Sequence, residues 1–395
     1  MTDGSIHLPG KEDLKSTRVL IVDDQEPNRK LLAAMVQSMG VGHIEHARDG
    51  VEGLAKMESF QPDLVLLDIM MPNMDGFEMC RRIRQNPLWK DLPVLVNTAL
   101  SEPRERVECF DAGATDMVVK PLNAPEVIAR VRIHLENRLL LGALRQFHER
   151  VAQELSMASA MQHSLLPDQA RLTALSEKFG LAISSRFETS SELGGDFWHV
   201  RELQDGRLGI ILVDFSGHGV AASLNAFRLH TLLDQLPPGS DPALWLSQLN
   251  SLLKPLLPVG QFATVLYAIV DAKQERIDYA AGGAPSPILM PPDGPARLLD
   301  ASGLFLGATA KADYDNLSAP FPAGAQLLLY SDALTETQGK DGQMLGDEGL
   351  LELAQSSAQE PAPLNSLMRR FEARFPPPWE DDLTAVWIGN QTRPQ

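Results

Sequence analysis

Cysteine is almost absent. The 395 residues contain only Cys80 and Cys109. Neither has neighbours at metal-ligand spacing, so a thiolate metal site is excluded, and two free buried thiols in a reducing compartment are expected. Long apolar runs are missing too. No uninterrupted stretch approaches the roughly 18 residues of a membrane-spanning helix. The opening segment MTDGSIHLPGKEDLKS lacks the apolar stretch of a signal peptide. A cytoplasmic chain without membrane association is therefore expected. Basic charge is also short. Lys and Arg number 35 against 52 Asp and Glu, a net charge of −17. That balance repels nucleic-acid phosphates and anionic lipid heads. No basic recognition helix offsets it, which argues against a nucleic-acid partner. Repeats and low-complexity tracts are lacking. What remains is a globular composition, 44% apolar and 22% charged, in a length suited to two or three domains.

Three regions are expected. In the first, residues 16–123, apolar runs end in polar residues and are followed by helical patterns. The runs are Arg18-Val-Leu-Ile-Val22, Leu64-Val-Leu-Leu67, Pro93-Val-Leu-Val96 and Asp116-Met-Val-Val119. Runs without alternation predict strands buried on both faces, and the β-then-α order predicts an α/β doubly wound parallel sheet. The second region, residues 124–166, lacks Pro beyond its start and reads as one long helix. Leu140, Leu144, Phe147, Val151, Ala158, Met161 and Leu165 are spaced as a heptad seam. Two readings fit that seam: a coiled coil that makes a homodimer, or a helix docked within the chain. Leu166-Pro167 ends it. The third region, residues 167–390, mixes strand-like runs at 208–213, 262–267, 326–330 and 383–387 with helical stretches at 220–236 and 243–253. It predicts an α+β domain with two helices between runs of strands.

Acidic residues gather at the strand ends of the first region. Asp23 and Asp24 follow the first strand, Asp68 ends the third, Thr98 the fourth and Lys120 the fifth. In an open parallel sheet these ends converge on one site. A single Asp there is often only a turn former or cap; four strand ends together are not. Three clustered carboxylates resist ionising, and a hard divalent cation such as Mg²⁺ relieves them. Lys120 adds a compact positive charge. The set makes a phosphoryl cradle in which Asp68 is free to act as nucleophile.

The motifs Val22-Asp-Asp24, Leu67-Asp-Ile-Met-Met-Pro72, Met74-Asp-Gly76, Thr98-Ala99 and Val119-Lys-Pro121 closely resemble the response-regulator receiver domain. The resemblance implies phosphorylation of Asp68 by a sensor histidine kinase or phosphotransfer protein. It implies Mg²⁺ held by Asp24, Asp68 and the Met70 carbonyl, with Asp23 in support, and Thr98 following the phosphate. One position departs. Receivers usually carry Phe or Tyr two residues before the lysine, and here that residue is Val118. Output through the Lys120-Pro121 turn into the long helix is the expectation.

The third region holds four acidic motifs: Gly194-Gly-Asp196-Phe197, Val213-Asp-Phe-Ser-Gly-His-Gly219, Leu329-Tyr-Ser-Asp-Ala-Leu-Thr-Glu336 and Asp381-Asp-Leu-Thr384. Each places an Asp at the edge of an apolar run, a costly place for an unpaired charge. Convergence on Mg²⁺ or Mn²⁺ explains them, and two such ions can clamp a phosphate. His218 reads either as a proton donor or as a loop residue. These motifs, with Ala160-Met-Gln162, Leu165-Leu-Pro167, Gln261-Phe-Ala-Thr264 and Gly303-Leu-Phe-Leu-Gly307, resemble the metal-dependent (PP2C-type) protein serine/threonine phosphatases of the SpoIIE and RsbU branch. The resemblance implies a β-sandwich, with Asp214 bridging two metals. Asp332 and Asp381, with Asp382 as substitute, would hold one. Asp196 would hold the other, assisted by the Phe215 carbonyl. It departs at Gly283, where the family has His, at Ala333 for Gly, and at His199 for Asp.

The whole architecture resembles RssB-type response regulators. Two functions follow. One is a phosphorylation-controlled phosphatase acting on an anti-sigma-factor antagonist phosphoprotein. The other is a non-catalytic adaptor that binds the stationary-phase sigma factor and delivers it for proteolysis. Complete aspartates favour the enzyme, because an unused cluster of carboxylates only destabilises.

Overall fold

The structure is a computed structural model and describes residues 13–99, 103–217, 219–340 and 342–391. The chain divides into two compact units, Met1–Ala152 and Gln153–Gln395.

The first unit alternates strand and helix: β1 (Arg18–Val22), α1 (Glu26–Ser38), β2 (His43–Ala47), α2 (Gly50–Phe60), β3 (Leu64–Asp68), α3 (Gly76–Gln85), β4 (Val94–Thr98), α4 (Pro103–Asp111) and β5 (Asp116–Val119). The sheet is parallel throughout, in the order β2-β1-β3-β4-β5. Its apolar runs feed two cores because successive side chains point to opposite faces. Leu20, Val22, Val65, Leu67, Val94 and Val96 enter one; Val19, Ile21, Leu64, Leu66 and Leu95 enter the other. This is the expected doubly wound sheet. Strand β2 is absent from the apolar runs because it is an edge strand, His43-Ile-Glu-His-Ala47, in which only Ala47 is buried.

Helix α5 (Ala124–Leu165) is continuous over 42 residues. Val127, Val131 and Leu135, four residues apart, are fully buried in the first unit's core beside Val118. Between Leu135 and Gln162 no side chain is buried. The heptad positions Leu144 and Met161 are 41% and 60% exposed.

The second unit continues with α6 (Gln169–Phe179), β6 (Leu181–Glu188), β7 (Phe197–Glu202), β8 (Leu208–Phe215), α7 (Val220–Gln235), α8 (Pro242–Leu253), β9 (Ala263–Asp271), β10 (Arg276–Gly282), β11 (Ile288–Met290), β12 (Arg297–Leu298), β13 (Leu317–Pro320), β14 (Gln326–Tyr330), α9 (Ala333–Glu336), α10 (Gly346–Ser357), α11 (Pro363–Arg374) and β15 (Leu383–Asn390). Two antiparallel sheets form, β13-β10-β9-β8-β7 and β12-β11-β14-β15-β6. Alternation again sorts the side chains. Ile210, Leu212, Leu266 and Ala268 meet Leu327, Leu329, Val386 and Ile388 between the sheets. Ile211, Val213, Val265 and Tyr267 pack outward with Leu229 and Leu246 of α7 and α8. Leu328, Ala385 and Trp387 pack outward with Leu350 and Leu367 of α10 and α11. The result is a sandwich covered by helices on both faces. The two expected helices between β8 and β9 are present. The others are short and lie among Pro and Gly connections, where periodicity is hard to see.

No helix among the described residues is long and apolar enough to cross a membrane.

Candidate functional site

In the first unit, the ligand atoms of Asp23, Asp24 and Asp68 lie within 4.8 Å of one another. Asp23 and Asp68 are buried and Asp24 is exposed. The Lys120 ammonium lies 2.9 Å from Asp68 Oδ1 and 3.5 Å from Asp23 Oδ2. Asp23 is fixed from below: its Oδ1 accepts from the Gln25 N–H at 2.8 Å and from Asn28 Nδ2 at 3.2 Å. Burial pushes the Asp68 carboxyl above its ordinary value, Lys120 pulls it down, and Asp23 raises it again. Thr98 is buried at the end of β4, and its carbonyl accepts from the Lys120 N–H at 2.7 Å. Met70 stands on the loop after β3 with its side chain 70% exposed. Gly76 is required there, because a Cβ would sit 2.3 Å from the Asp68 carbonyl. Asp23, Asp24, Asp68 and Lys120 come together, and Thr98 lies one backbone hydrogen bond from Lys120. The donor set fits a hard divalent cation, since one lysine faces three carboxylates.

In the second unit, Asp214, Asp332 and Asp381 line one cleft of about 650 Å³. Among the described residues its lining includes Glu336 and Asp347 but no Lys or Arg. Burial, then the charges of Asp332 and Asp381, pushes Asp214 up to about 7. Burial, then Asp381 and Glu336, pushes Asp332 up to about 6. Asp196 is 1% exposed and is not part of the cleft wall. Burial and the charge of Asp214 hold its carboxyl far above the ordinary range. Thr384 donates to Asp196 Oδ2 at 2.5 Å, while Oδ1 is buried with no donor. An orphaned buried carboxylate oxygen beside a cleft of repelling carboxylates fits divalent cations.

Asp382 does something else. It is buried, and its carboxylate accepts from the N–H groups of Ser190 at 2.7 Å and Gly195 at 2.5 Å, and from the Ser190 hydroxyl at 3.0 Å. It therefore anchors the loop that carries Asp196. This explains the Gly pair. A Cβ on Gly194 would lie 2.7 Å from Asp382 Oδ2, and one on Gly195 would lie 2.9 Å from the Phe215 carbonyl. Gln162, at the end of α5, grips the same loop: Nε2 donates to the Gly194 carbonyl at 2.7 Å, and Oε1 accepts from the Gly194 N–H at 3.2 Å.

The departures have structural correlates. Gly283 has φ +70°, and a Cβ there would meet the Phe305 ring at 2.2 Å. Phe305 thus occupies the room a side chain at 283 would need. His199 is buried, stacked on Phe197 and edge-on to His230. His218 lies outside the described residues. Sequence reasoning missed the anchoring by Asp382 and the grip of Gln162. The only available signal was the Gly pair, which demands close neighbours.

Residues 19–132 match the family described as the response regulator receiver domain. Residues 204–390 match the family described as stage II sporulation protein E (SpoIIE). The chain joins a receiver domain to a SpoIIE-type (PP2C-type) phosphatase domain. It is 35% identical over 162 residues to the DNA-binding dual master transcriptional regulator RpaA of Synechocystis, covering 41% of this chain and 60% of that one. It is 44% identical over 117 residues to the response regulator MprA of Mycobacterium bovis, covering 30% of this chain and 50% of that one. The chain thus spans only about half the length of these relatives. The SiaA-PP2C domain of Pseudomonas aeruginosa superposes with a TM-score of 0.54 at 21% identity, over 61% of this chain and 97% of that domain. That likeness shows that the SpoIIE-type domain has the PP2C fold.

Proposed function

We infer that the chain is a response regulator in which phosphorylation of Asp68 controls a metal-dependent protein serine/threonine phosphatase. The observation that carries this reading is the acidic cleft, with no Lys or Arg among its described lining residues, and the buried Asp196 oxygen that no described donor reaches. A cluster whose aspartates rise to about 6 and 7 costs the fold stability unless cations use it.

In the receiver, an Asp68 oxygen attacks the phosphorus of a phosphohistidine on a sensor kinase or phosphotransfer protein. The P–N bond breaks, the imidazole keeps the electron pair, and an acyl phosphate forms on Asp68. Lys120, already 2.9 Å from Asp68, offsets the added charge; Asp24, Asp68 and the Met70 carbonyl, with Asp23 in support, would hold Mg²⁺, which would add further positive charge. Thr98, at the end of β4, accepts the Lys120 N–H with its carbonyl, and its hydroxyl would follow the phosphate. Val118 shares a core with Val127 and Val131 of α5. The shift therefore passes into that helix rather than through an aromatic side chain. At its other end, Gln162 holds Gly194, two residues from Asp196. Movement of α5 repositions the Asp196 loop.

In the second domain, Asp214, Asp332 and Asp381, with Asp196 and the Phe215 carbonyl, would hold two Mg²⁺ or Mn²⁺. Bound there, the ions would supply the positive charge that polarises a water and offsets a phosphate. Asp382 keeps the Gly194–Gly195 turn in place. The substrate we favour is a phosphoserine or phosphothreonine on an anti-sigma-factor antagonist. The uncovered stripe of α5 from Leu140 to Met161 pairs two chains into a coiled-coil homodimer.

The test is turnover of p-nitrophenyl phosphate with Mn²⁺ by wild type and Asp214→Ala. Aspartate-dependent turnover supports the enzyme. Silence with Mn²⁺ and Mg²⁺, with and without beryllofluoride on Asp68, defeats it and favours a sigma-factor adaptor.

A further inference from the structure

Apolar side chains crowd the mouth of the acidic cleft. Phe262 and Phe305 line it and pack against each other at a tilt of 42°, with ring centroids 4.8 Å apart. They remain 36% and 39% exposed. Phe262 is fixed by the strand that carries Asp214: its N–H donates to Ser216 Oγ at 3.1 Å, and its carbonyl accepts from the Ser216 N–H at 2.9 Å. The apolar surface continues away from the cleft. Leu304, next to Phe305, is 51% exposed. The turn before Phe262 presents Val259, which is fully exposed at 105%. That turn is tied to α7 by Asn225 Nδ2, which donates to Gln261 Oε1 at 2.7 Å. On α7, Val220 and Leu224 lie one helical turn apart and are 51% and 52% exposed.

Six large apolar side chains left open on segments joined to one another and to the cleft are not scattered surface hydrophobics. We propose that they form a docking rim for the phosphoprotein substrate, one whose phosphoserine is flanked by apolar residues. This rests on the hydrolase reading of the cleft. Continuity selects the occupant. Phe262 and Phe305 belong both to the cleft wall and to the rim, so a chain placing a phosphate beside Asp214 lays its neighbouring residues on them. A second copy of this chain seated on the rim would close the cleft instead. The acidic wall of Asp332, Glu336 and Asp347 disfavours acidic flanks, so apolar contact is what the rim can offer.

Two phosphoserine peptides test this, one with leucine and phenylalanine flanks and one with serine and glycine flanks. Fluorescence anisotropy reads their affinity for the full chain with Mn²⁺, and phosphate release is read in parallel. The apolar peptide should bind at least about tenfold more tightly, since each buried leucine is worth about that factor. In Leu224→Gln/Val259→Ser, which keeps Phe262 and Phe305, the preference should shrink by at least about threefold. Both positions are exposed, so the fold is spared. Equal affinities in wild type, or a preference unchanged in the double variant, overturn the rim. A preference that the double variant weakens, with no phosphate released from either peptide, upholds the rim and overturns the hydrolase reading.

Discussion

The two domains solve the same electrostatic problem differently. Each gathers carboxylates at strand ends. In the receiver, Lys120 bridges Asp23 and Asp68 and answers part of the repulsion from within the chain. In the SpoIIE-type domain no lysine or arginine lines the cleft among the described residues. Protons must answer instead, and Asp214 and Asp332 rise to about 7 and 6. The difference teaches what each site is for. On the proposed reading, the nucleophile Asp68 has Lys120 beside it to offset part of the upward push of burial on its carboxyl. On the same reading, a site that takes divalent cations would leave its negative charge uncompensated until they bind.

The most severe way to break this contrast is Asp214→Asn. Turnover should fall by at least about 10³-fold, since one cation ligand and its charge are lost. In EDTA, the same variant should melt at a higher temperature than wild type, because a repelling charge is gone. The receiver variant Asp68→Asn should raise the metal-free melting temperature less, since Lys120 already pairs with Asp68. Equal gains, followed by calorimetry, would dissolve the distinction between the two sites. Lys120→Gln comes next. It should slow acyl-phosphate formation from acetyl phosphate by about 10²-fold and leave p-nitrophenyl phosphate turnover without phosphodonor near wild type. Phos-tag electrophoresis and colorimetry read the two effects.

The receiver was largely legible in the sequence because its strands are buried on both faces and its functional residues end them. Asp23, Asp24, Asp68, Thr98 and Lys120 follow directly from that register. Only edge strand β2 hid, since half-exposed His43-Ile-Glu-His-Ala47 has no apolar run. The second domain showed less. Its acidic motifs announced Asp196, Asp214, Asp332 and Asp381, yet the sequence could not separate Asp381 from its neighbour. The structure does: Asp381 lines the cleft, and Asp382 points its carboxylate at the N–H groups of Ser190 and Gly195. That partnership spans nearly two hundred residues, and no local pattern encodes it. Gln162 was visible only as part of a helix-ending motif. Its grip on Gly194 is a tertiary contact and has no periodic signature.

Gln162→Ala sharpens the comparison at a smaller scale. The receiver's site is held by its own strand ends, while the Asp196 loop depends on a helix entering from the receiver side of the sequence. Removing the amide leaves the buried N–H and carbonyl of Gly194 unpartnered, at about 1–3 kcal/mol. Mn²⁺ affinity, read by titration calorimetry, should drop about tenfold or more, and beryllofluoride on Asp68 should no longer change phosphatase turnover. A variant that keeps its response to beryllofluoride would remove Gln162 from the signal route.

The smallest effect concerns a buried base rather than buried acids. Burial, then the charges of Arg171, Arg201 and His230, holds His199 down at about 3, against an ordinary value of 6.5. The folded domain therefore keeps His199 neutral where the unfolded chain would protonate it. The resulting stability is fully present above pH 6.5 and is lost as pH falls from 6.5 towards 3. At pH 5 the loss reaches about 2 kcal/mol, from 1.5 pH units at 1.36 kcal/mol each. In His199→Gln that acid slope should disappear while stability at pH 8 changes by about 1 kcal/mol or less. Urea unfolding followed by the fluorescence of Trp198, Trp245, Trp379 and Trp387 reports on this domain. An acid slope equal to wild type would mean that His199 is already charged in the fold. Its stacking between Phe197 and His230 would then be a cationic contact rather than an apolar one.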